Sequence, residues 1–378
     1  MTTQAQPEAL GDLRILDFSQ VLAGPFATMM LADLGATVTK VERPGRGDDT
    51  RAWGPPHDDR GEATYFLSVN RNKRSLVLDL KDPEGVAEAR RLALAADVVV
   101  ENFRPDLMAG LGLDYESLAA ENPGLVYCSI TGFGGDGPGA ELPGYDLLVQ
   151  ALGGLMSITG EPDGEPLKVG VALVDVLAGL FATVGILAAL EHRRDSGEGQ
   201  RVEVDLLSSL LAALVNQGSG YTVAGVVPGP MGNRHPSIAP YELLSTGDGA
   251  LVLAVGNDRQ FGQLCEAIGL PELATNERFA TNSARVANRE ELKRLLEEAL
   301  AARPASEWVE LLQARRVPAG VVNNLAAAFE FATRIGLEPT VEIPRPDGGA
   351  VSLTRNPIRL SRTPASYRLP PPLLPDGD

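Results

Sequence analysis

Through its first third the chain alternates short β-branched runs with helical segments, and this alternation constrains the fold more than any other feature. Residues 13–18 read as a buried strand, and Gly24-Pro25 opens a helix to about residue 34. The proline falls in the first turn, where its missing N–H costs nothing. Strands are expected at 36–42, 76–80, 98–102 and 125–131, with a helix at 83–96. Parallel strands need crossovers of about this length, so the spacing predicts an α/β fold built on a Rossmann-like, doubly wound parallel sheet. No G-x-G-x-x-G follows the first strand. The segment there is Ser19-Gln20-Val21-Leu22-Ala23-Gly24-Pro25, so NAD is not expected even though Glu42 sits where a ribose-binding acid would.

The character changes near residue 225. Val226-Val227-Pro228-Gly229-Pro230-Met231-Gly232-Asn233 is rich in turn formers and reads as a linker. Residues 241–245 and 250–255 read as strands joined through Thr246-Gly247-Asp248-Gly249, a hairpin signal. Helices are expected at 258–268, 289–302 and 305–315, and short strands at 341–343 and 350–353. The tail Arg368-Leu369-Pro370-Pro371-Pro372 reads as extended. The expected organisation is a large domain, 1–225, a smaller α+β domain, 226–320, and a return to the large domain, 321–378.

Asp175 stands between the apolar run 169–174 and the stretch 176–190, which reads as a buried helix closed by Glu191-His192-Arg193-Arg194. A carboxylate placed there costs free energy unless something stabilises it, and a helix N-terminus can do so. The pattern admits an N-cap aspartate or a carboxylate that acts as nucleophile or base. Lys168 and Asp175 interrupt the longest apolar run, which favours a core helix over a membrane span.

A chain of 378 residues, 44% hydrophobic and 22% charged, has room for two domains with sizeable cores. A net charge of −17 argues against nucleic-acid and membrane partners. The N-terminus lacks a basic, apolar signal region, and Cys128 and Cys265 lie far apart in apolar segments, so a cytoplasmic protein with reduced thiols is expected. His57, His192 and His235 lack metal-ligand spacing, and no metal site is expected. Basic residues concentrate in Arg43-Pro44-Gly45-Arg46-Gly47-Asp48-Asp49-Thr50-Arg51 and Asn70-Arg71-Asn72-Lys73-Arg74. These loops suggest a polyanionic small ligand such as a nucleotide phosphate; solvated, salt-bridged loops are the alternative.

An ordered set of segments resembles the family III CoA-transferases of the CaiB/BaiF type. It comprises Leu16-Asp17-Phe18, Ala23-Gly24-Pro25, Leu34-Gly35-Ala36, Val41-Glu42, Asn72-Lys73-Arg74-Ser75 and Leu78-Asp79. It continues through Glu101-Asn102-Phe103-Arg104-Pro105, Ser129-Ile130-Thr131-Gly132-Phe133-Gly134 and Gly197-Glu198-Gly199-Gln200, to Gly232-Asn233-Arg234-His235 ahead of Ala239-Pro240-Tyr241. The resemblance implies a large Rossmann-like domain, a small α+β domain and an interlocked homodimer. It implies an enzyme that moves CoA from an acyl-CoA thioester to a free carboxylic acid, with coenzyme A as substrate and product and no permanently bound cofactor. An aspartate attacks the thioester and forms a mixed anhydride with the acyl group. CoA thiolate leaves, then re-enters after the acceptor acid has taken its place. By position that aspartate is Asp175, which the helix end would keep ionised.

The resemblance also implies Arg43 near the adenine and phosphates, Leu78 and Lys81 along the nucleotide, and Asn102 and Phe103 at the strand end over which CoA passes. Leu22 stands where oxalate-specific members have glutamine, and Gly110 where they have arginine, which argues against formyl-CoA:oxalate transfer. Gly232, Asn233 and Arg234 look like a loop that closes over the acyl group, with Arg234 pairing a substrate carboxylate; a linker turn is the alternative. The stretch 144–175 looks closer to members that use succinyl-CoA and small dicarboxylates. Relatives continue into a final helix where this chain stops, which would give a smaller subunit interface. The family includes α-methylacyl-CoA racemases, which use histidine and aspartate to move an α-proton. Here Gly144-Tyr145-Asp146 replaces their Gly-His-Asp. Tyr145, with a reference pKa of about 10, is a poor base near neutral pH, so transfer is favoured over racemisation. Asp146 reads as a site carboxylate or a helix cap. A non-catalytic CoA-binding protein is a third reading, disfavoured by the intact Asp175.

Overall fold

The computed structural model describes residues 7–375. One compact unit comprises Met1–Leu155, Lys168–Val227 and Glu338–Asp378; the second comprises Met156–Leu167 and Pro228–Leu337. Against the expected borders, the second unit runs on to Leu337 and takes in the excursion 156–167, which no shift in composition marks.

The first unit is built on six parallel strands: β1 (Arg14–Asp17), β2 (Thr37–Glu42), β3 (Lys73–Val77), β4 (Val98–Glu101), β5 (Val126–Thr131) and β6 (Arg201–Asp205). Their spatial order is β3-β2-β1-β4-β5-β6. Val98, Val99 and Val100 are fully buried, as a central strand covered on both faces requires. Alternate side chains serve opposite layers. Ile15, Val38, Val100 and Cys128 pack with Ala27 and Leu31 of the Ala23–Asp33 helix, while Leu16, Val99 and Tyr127 pack with Ala89 and Ala93 of the Pro83–Ala95 helix.

Two strands depart from expectation. β3 starts at Lys73 rather than 76, because the lysine is fully buried against Asp17 at 3.1 Å. β6 is not among the expected strands: Arg201, Glu203 and Asp205 alternate with Val202 and Val204, which gives the segment a polar reading.

The Leu173–Ser196 helix buries Val174, Ala178, Ala182, Ile186 and Ala189 along one stripe. It ends at Gly197, whose φ of 77° suits a glycine stop. By length and composition it could cross a membrane, but that stripe belongs to the core facing the sheet. Gly179 lets it approach the Ala23–Asp33 helix closely, since a Cβ there would stand 2.6 Å from the Ala23 carbonyl oxygen.

In the second unit, β7 (Tyr241–Ser245), β8 (Ala250–Ala254) and the short β9 (Ala319–Gly320) form an antiparallel sheet. The Asp258–Ile268, Arg289–Leu300 and Ala305–Ala314 helices pack on it around Phe261, Leu296 and Trp308. The antiparallel hairpin β10 (Thr340–Pro344) and β11 (Ala350–Thr354) belongs to the first unit and packs with Phe66 and Leu67.

Candidate active site

A cavity of about 450 Å³ opens at the C-terminal ends of β1, β4 and β5, where α/β sheets hold ligands. Leu22 and Ala23 line it after β1, Asn102, Phe103 and Arg104 after β4, and Thr131 and Gly132 at the end of β5. Gly144, Tyr145 and Asp175 complete the part of the wall that carries candidate chemistry. Gly132 and Gly144 are in backbone contact: a Cβ on Gly132 would lie 2.5 Å from the Gly144 Cα. Only glycine at both places lets the Tyr145 segment cross the end of β5.

Asp175 occupies the first turn of the Leu173–Ser196 helix rather than its cap position, which is Ala172 and supplies no capping side chain. The cap comes from elsewhere in the chain. Asp146 Oδ1 accepts from Val174 N at 2.8 Å and from Asp175 N at 3.4 Å, while its Oδ2 accepts from Gln150 Nε2 at 2.6 Å. The capping role therefore falls to Asp146. The expectation that the helix end would keep Asp175 ionised also needs correction. Burial, and then the negative charge of Asp146, push the Asp175 carboxyl up to about 7.

Tyr145 is 65% exposed and reaches the cavity. Asn102 engages its carboxamide with the protein itself: Oδ1 accepts from Gln20 N and Nδ2 donates to Gln20 O, both at 2.8 Å. The neighbouring Phe103 N donates to the buried Glu101 at 2.8 Å, which fixes the turn after β4.

The other expected CoA contacts are not part of this wall. Arg43 Nε donates to Gly47 O at 2.9 Å, and its guanidinium is paired with Asp49, itself a lining residue. Leu78 packs with the core beneath the Pro83–Ala95 helix, and Lys81 is exposed. The basic loops carry mostly internal pairs, as the salt-bridged alternative has it. Arg51 bonds Glu42 at 2.7 Å, Arg71 bonds Asp33 at 2.6 Å, and Lys73 bonds Asp17. Burial alone would raise Asp17, but Lys73, Lys40, Ser19 and Thr28 hold it below the usual carboxylate value. Burial lowers Lys73 to about 8, with Asp17 opposing. Arg46 and Arg74 remain exposed.

In the second unit, Asn233 and Arg234 line a cavity of about 240 Å³ with Glu161, Glu242 and Lys293. Arg234 Nη2 donates to Glu290 at 3.1 Å and its Nε lies 3.7 Å from Glu242, so the guanidinium read as a partner for a substrate carboxylate is paired with the protein's own carboxylates. Gly232 has φ +61°, the left-handed turn that its residue type suits.

Sequence reasoning does not single out Thr131, Gly132 or Arg104 as site residues. The adjacent Gly132-Phe133-Gly134 and Asn102-Phe103-Arg104 blocks are the available signal.

The family pattern "CoA-transferase family III" matches residues 10–377. A succinate–glutarate CoA-transferase from Agrobacterium fabrum is 46% identical, over 97% of this chain and 92% of the relative. An acetyl-CoA:oxalate CoA-transferase from Acetobacter aceti is 41% identical, over 95% and 91%. The crystal structure of a CaiB/BaiF family protein from Brucella suis superposes with a TM-score of 0.86 at 44% identity, covering 98% of this chain and 97% of that one.

Proposed function

The chain belongs to CoA-transferase family III, and from that membership we propose that it passes CoA from a donor acyl-CoA to a dicarboxylic acid through a mixed anhydride on Asp175. The observation that carries this reading is Asp175 itself, a carboxyl on the cavity wall whose pKa of about 7 leaves the nucleophilic form populated near neutrality. Partial desolvation strengthens a carboxylate nucleophile, since less water must be stripped from it as the bond forms.

The steps balance without a cofactor. A carboxylate oxygen of Asp175 attacks the thioester carbonyl, the C–S bond breaks, and CoA leaves as the thiolate. The acceptor carboxylate attacks the Asp175 carbonyl carbon and expels the donor acid. CoA thiolate then attacks the acceptor's own carbonyl, forms the new thioester and releases the Asp175 carboxylate. Asp146 holds the helix end that presents Asp175 and keeps a second negative charge beside it. The relatives that act on succinate and glutarate support succinyl-CoA as donor and a small dicarboxylate as acceptor.

We read the chain as half of an interlocked cytoplasmic homodimer. Apolar side chains exposed on the single chain support a partner: Phe181, Val184 and Val223 in the first unit, and Val322, Leu325 and Ile335 in the second.

Hydroxylamine tests the anhydride. With donor acyl-CoA present, it should convert Asp175 to a hydroxamate that mass spectrometry locates. Asp175→Asn should bind CoA and lose essentially all transfer. Full turnover by that variant, without reversion of Asn to Asp, would remove Asp175 from the chemistry.

A further inference from the structure

We propose that Asn102 is a positioning residue for transfer: through its two bonds to Gln20 its side chain holds the cavity wall at residues 20–23 in place. The proposal rests on the reading of Asp175 as nucleophile.

A carboxamide offers one acceptor oxygen and two N–H donors. Asn102 places the oxygen on Gln20 N and one donor on Gln20 O, the same two-way exchange that joins a bonded residue pair in antiparallel strands. The rest of the segment is held in a similar way. Ser19 N donates to Asp17 at 2.9 Å, and Ser19 O accepts from Lys40 Nζ at 2.7 Å. Val21 N donates to Asp48 at 3.2 Å. The backbone polar groups from Ser19 N to Val21 N are thus each engaged by a side chain.

Such restraint has a purpose, because Val21 has φ +69°. For a β-branched residue that conformation is strained, and it persists only where the surroundings over-determine it. Leu22 and Ala23, the next residues, line the same cavity as Asp175. Releasing the segment lets Val21 relax and carries this wall away from where a thioester must sit.

Asn102 is the informative member of the clamp. Asp17, Lys40 and Asp48 are buried to 1% exposure or less and tied into ion pairs, so removing one strands a buried charge. Asn102 is neutral and half-buried.

The test is Asn102→Ala and Asn102→Asp, each normalised to folded protein. Turnover should fall, by about 10²-fold for Ala, and CoA affinity by calorimetry should stay within twofold of wild type. A rise in the CoA Kd with kcat intact would show direct contact and overturn the proposal. Unchanged kinetics in both folded variants would also overturn it. If the alanine variant does not fold, the aspartate variant carries the test. In Asn102→Asp the ionised carboxylate keeps the acceptor for Gln20 N but loses the donor to Gln20 O; its protonated form restores that donor. The ratio of variant to wild-type turnover should therefore rise as pH falls, and a flat ratio would count against positioning. Hydroxylamine trapping at Asp175 in wild type separates the two ideas. Trapping with normal kinetics in the Asn102 variants would sink only this inference; absence of trapping would sink the nucleophile itself.

Discussion

Asp175 shows how far a single residue can be read before the fold is known. Its place between two apolar runs admits an N-cap aspartate or a reactive carboxylate, and only the family resemblance implies the second. Its protonation state is not legible in the sequence, because it depends on burial and on Asp146, which lies distant in sequence and near in space. The value of about 7 gives a signed prediction. In the proposed mechanism the ionised form of Asp175 is the nucleophile, so kcat/KM for donor acyl-CoA should drop about tenfold per pH unit below about 7 and level off above it. Asp146→Asn removes the neighbouring charge but keeps an oxygen able to accept from Val174 N. The acid limb should then move to lower pH, with some loss of stability because the new amide donor faces Gln150 Nε2, whose Oε1 is already engaged by Val169 N. An unmoved limb would show that Asp146 does not set the Asp175 pKa. The same shift acts on folding. A carboxyl whose pKa is raised in the folded state holds its proton more tightly there. Its contribution is fully present below the unfolded value of about 3.9 and is lost as pH rises through about 7. Asp175→Asn should therefore raise the melting temperature above pH 7, by an amount that shrinks toward pH 4.

At the scale of elements, apolar periodicity locates the central strands and the hairpin β7–β8 close to their true limits. It fails where charge enters a strand. Lys73 is paired with Asp17 inside the first unit, and β6 alternates charged residues with valines. Only a tertiary partner distinguishes such segments from loops. The site has the same limit. Leu22, Asn102, Phe103, Tyr145 and Asp175 line one cavity, while Arg43, Leu78 and Lys81 do not. The partner that already engages Arg234 is hidden from a reading of the chain, because Glu290 lies far along it. Close helix contact is likewise invisible: in sequence Gly179 is one small residue in an apolar helix. A methyl group added at this position would meet the Ala23 oxygen at 2.6 Å and the Phe26 ring at 3.1 Å. Those atoms belong to the helix that begins at the cavity wall. Gly179→Ala should force the two helices apart and cost about 1–3 kcal/mol, despite the better helix propensity of alanine. Thermal melts would show the loss, and kcat should fall in the protein that remains folded. A variant as stable as wild type would mean that the helices yield without strain.

For the whole molecule, composition identifies a large acidic globular chain, and motif order identifies the family across most of its length. The excursion 156–167 into the second unit escapes a linear reading because unit membership is a property of contacts, and no run of turn residues need announce it. Assembly is the property that most needs measurement. Val184 is 64% exposed, Val223 86% and Leu325 81%, a heavy load of apolar surface for a chain acting alone. If two chains interlock as proposed, separating them requires partial unfolding rather than simple release of an interface. Dilution should then leave the dimer intact over hours, and dissociation should coincide with loss of secondary structure as denaturant rises. The midpoint should rise with protein concentration, because unfolding and dissociation form one transition. Mixing differently tagged dimers under native conditions should yield no hybrids, whereas mixing after denaturation and refolding should yield them. Rapid native exchange would exclude interlocking while allowing an ordinary dimer, and a stable folded monomer by light scattering would exclude both.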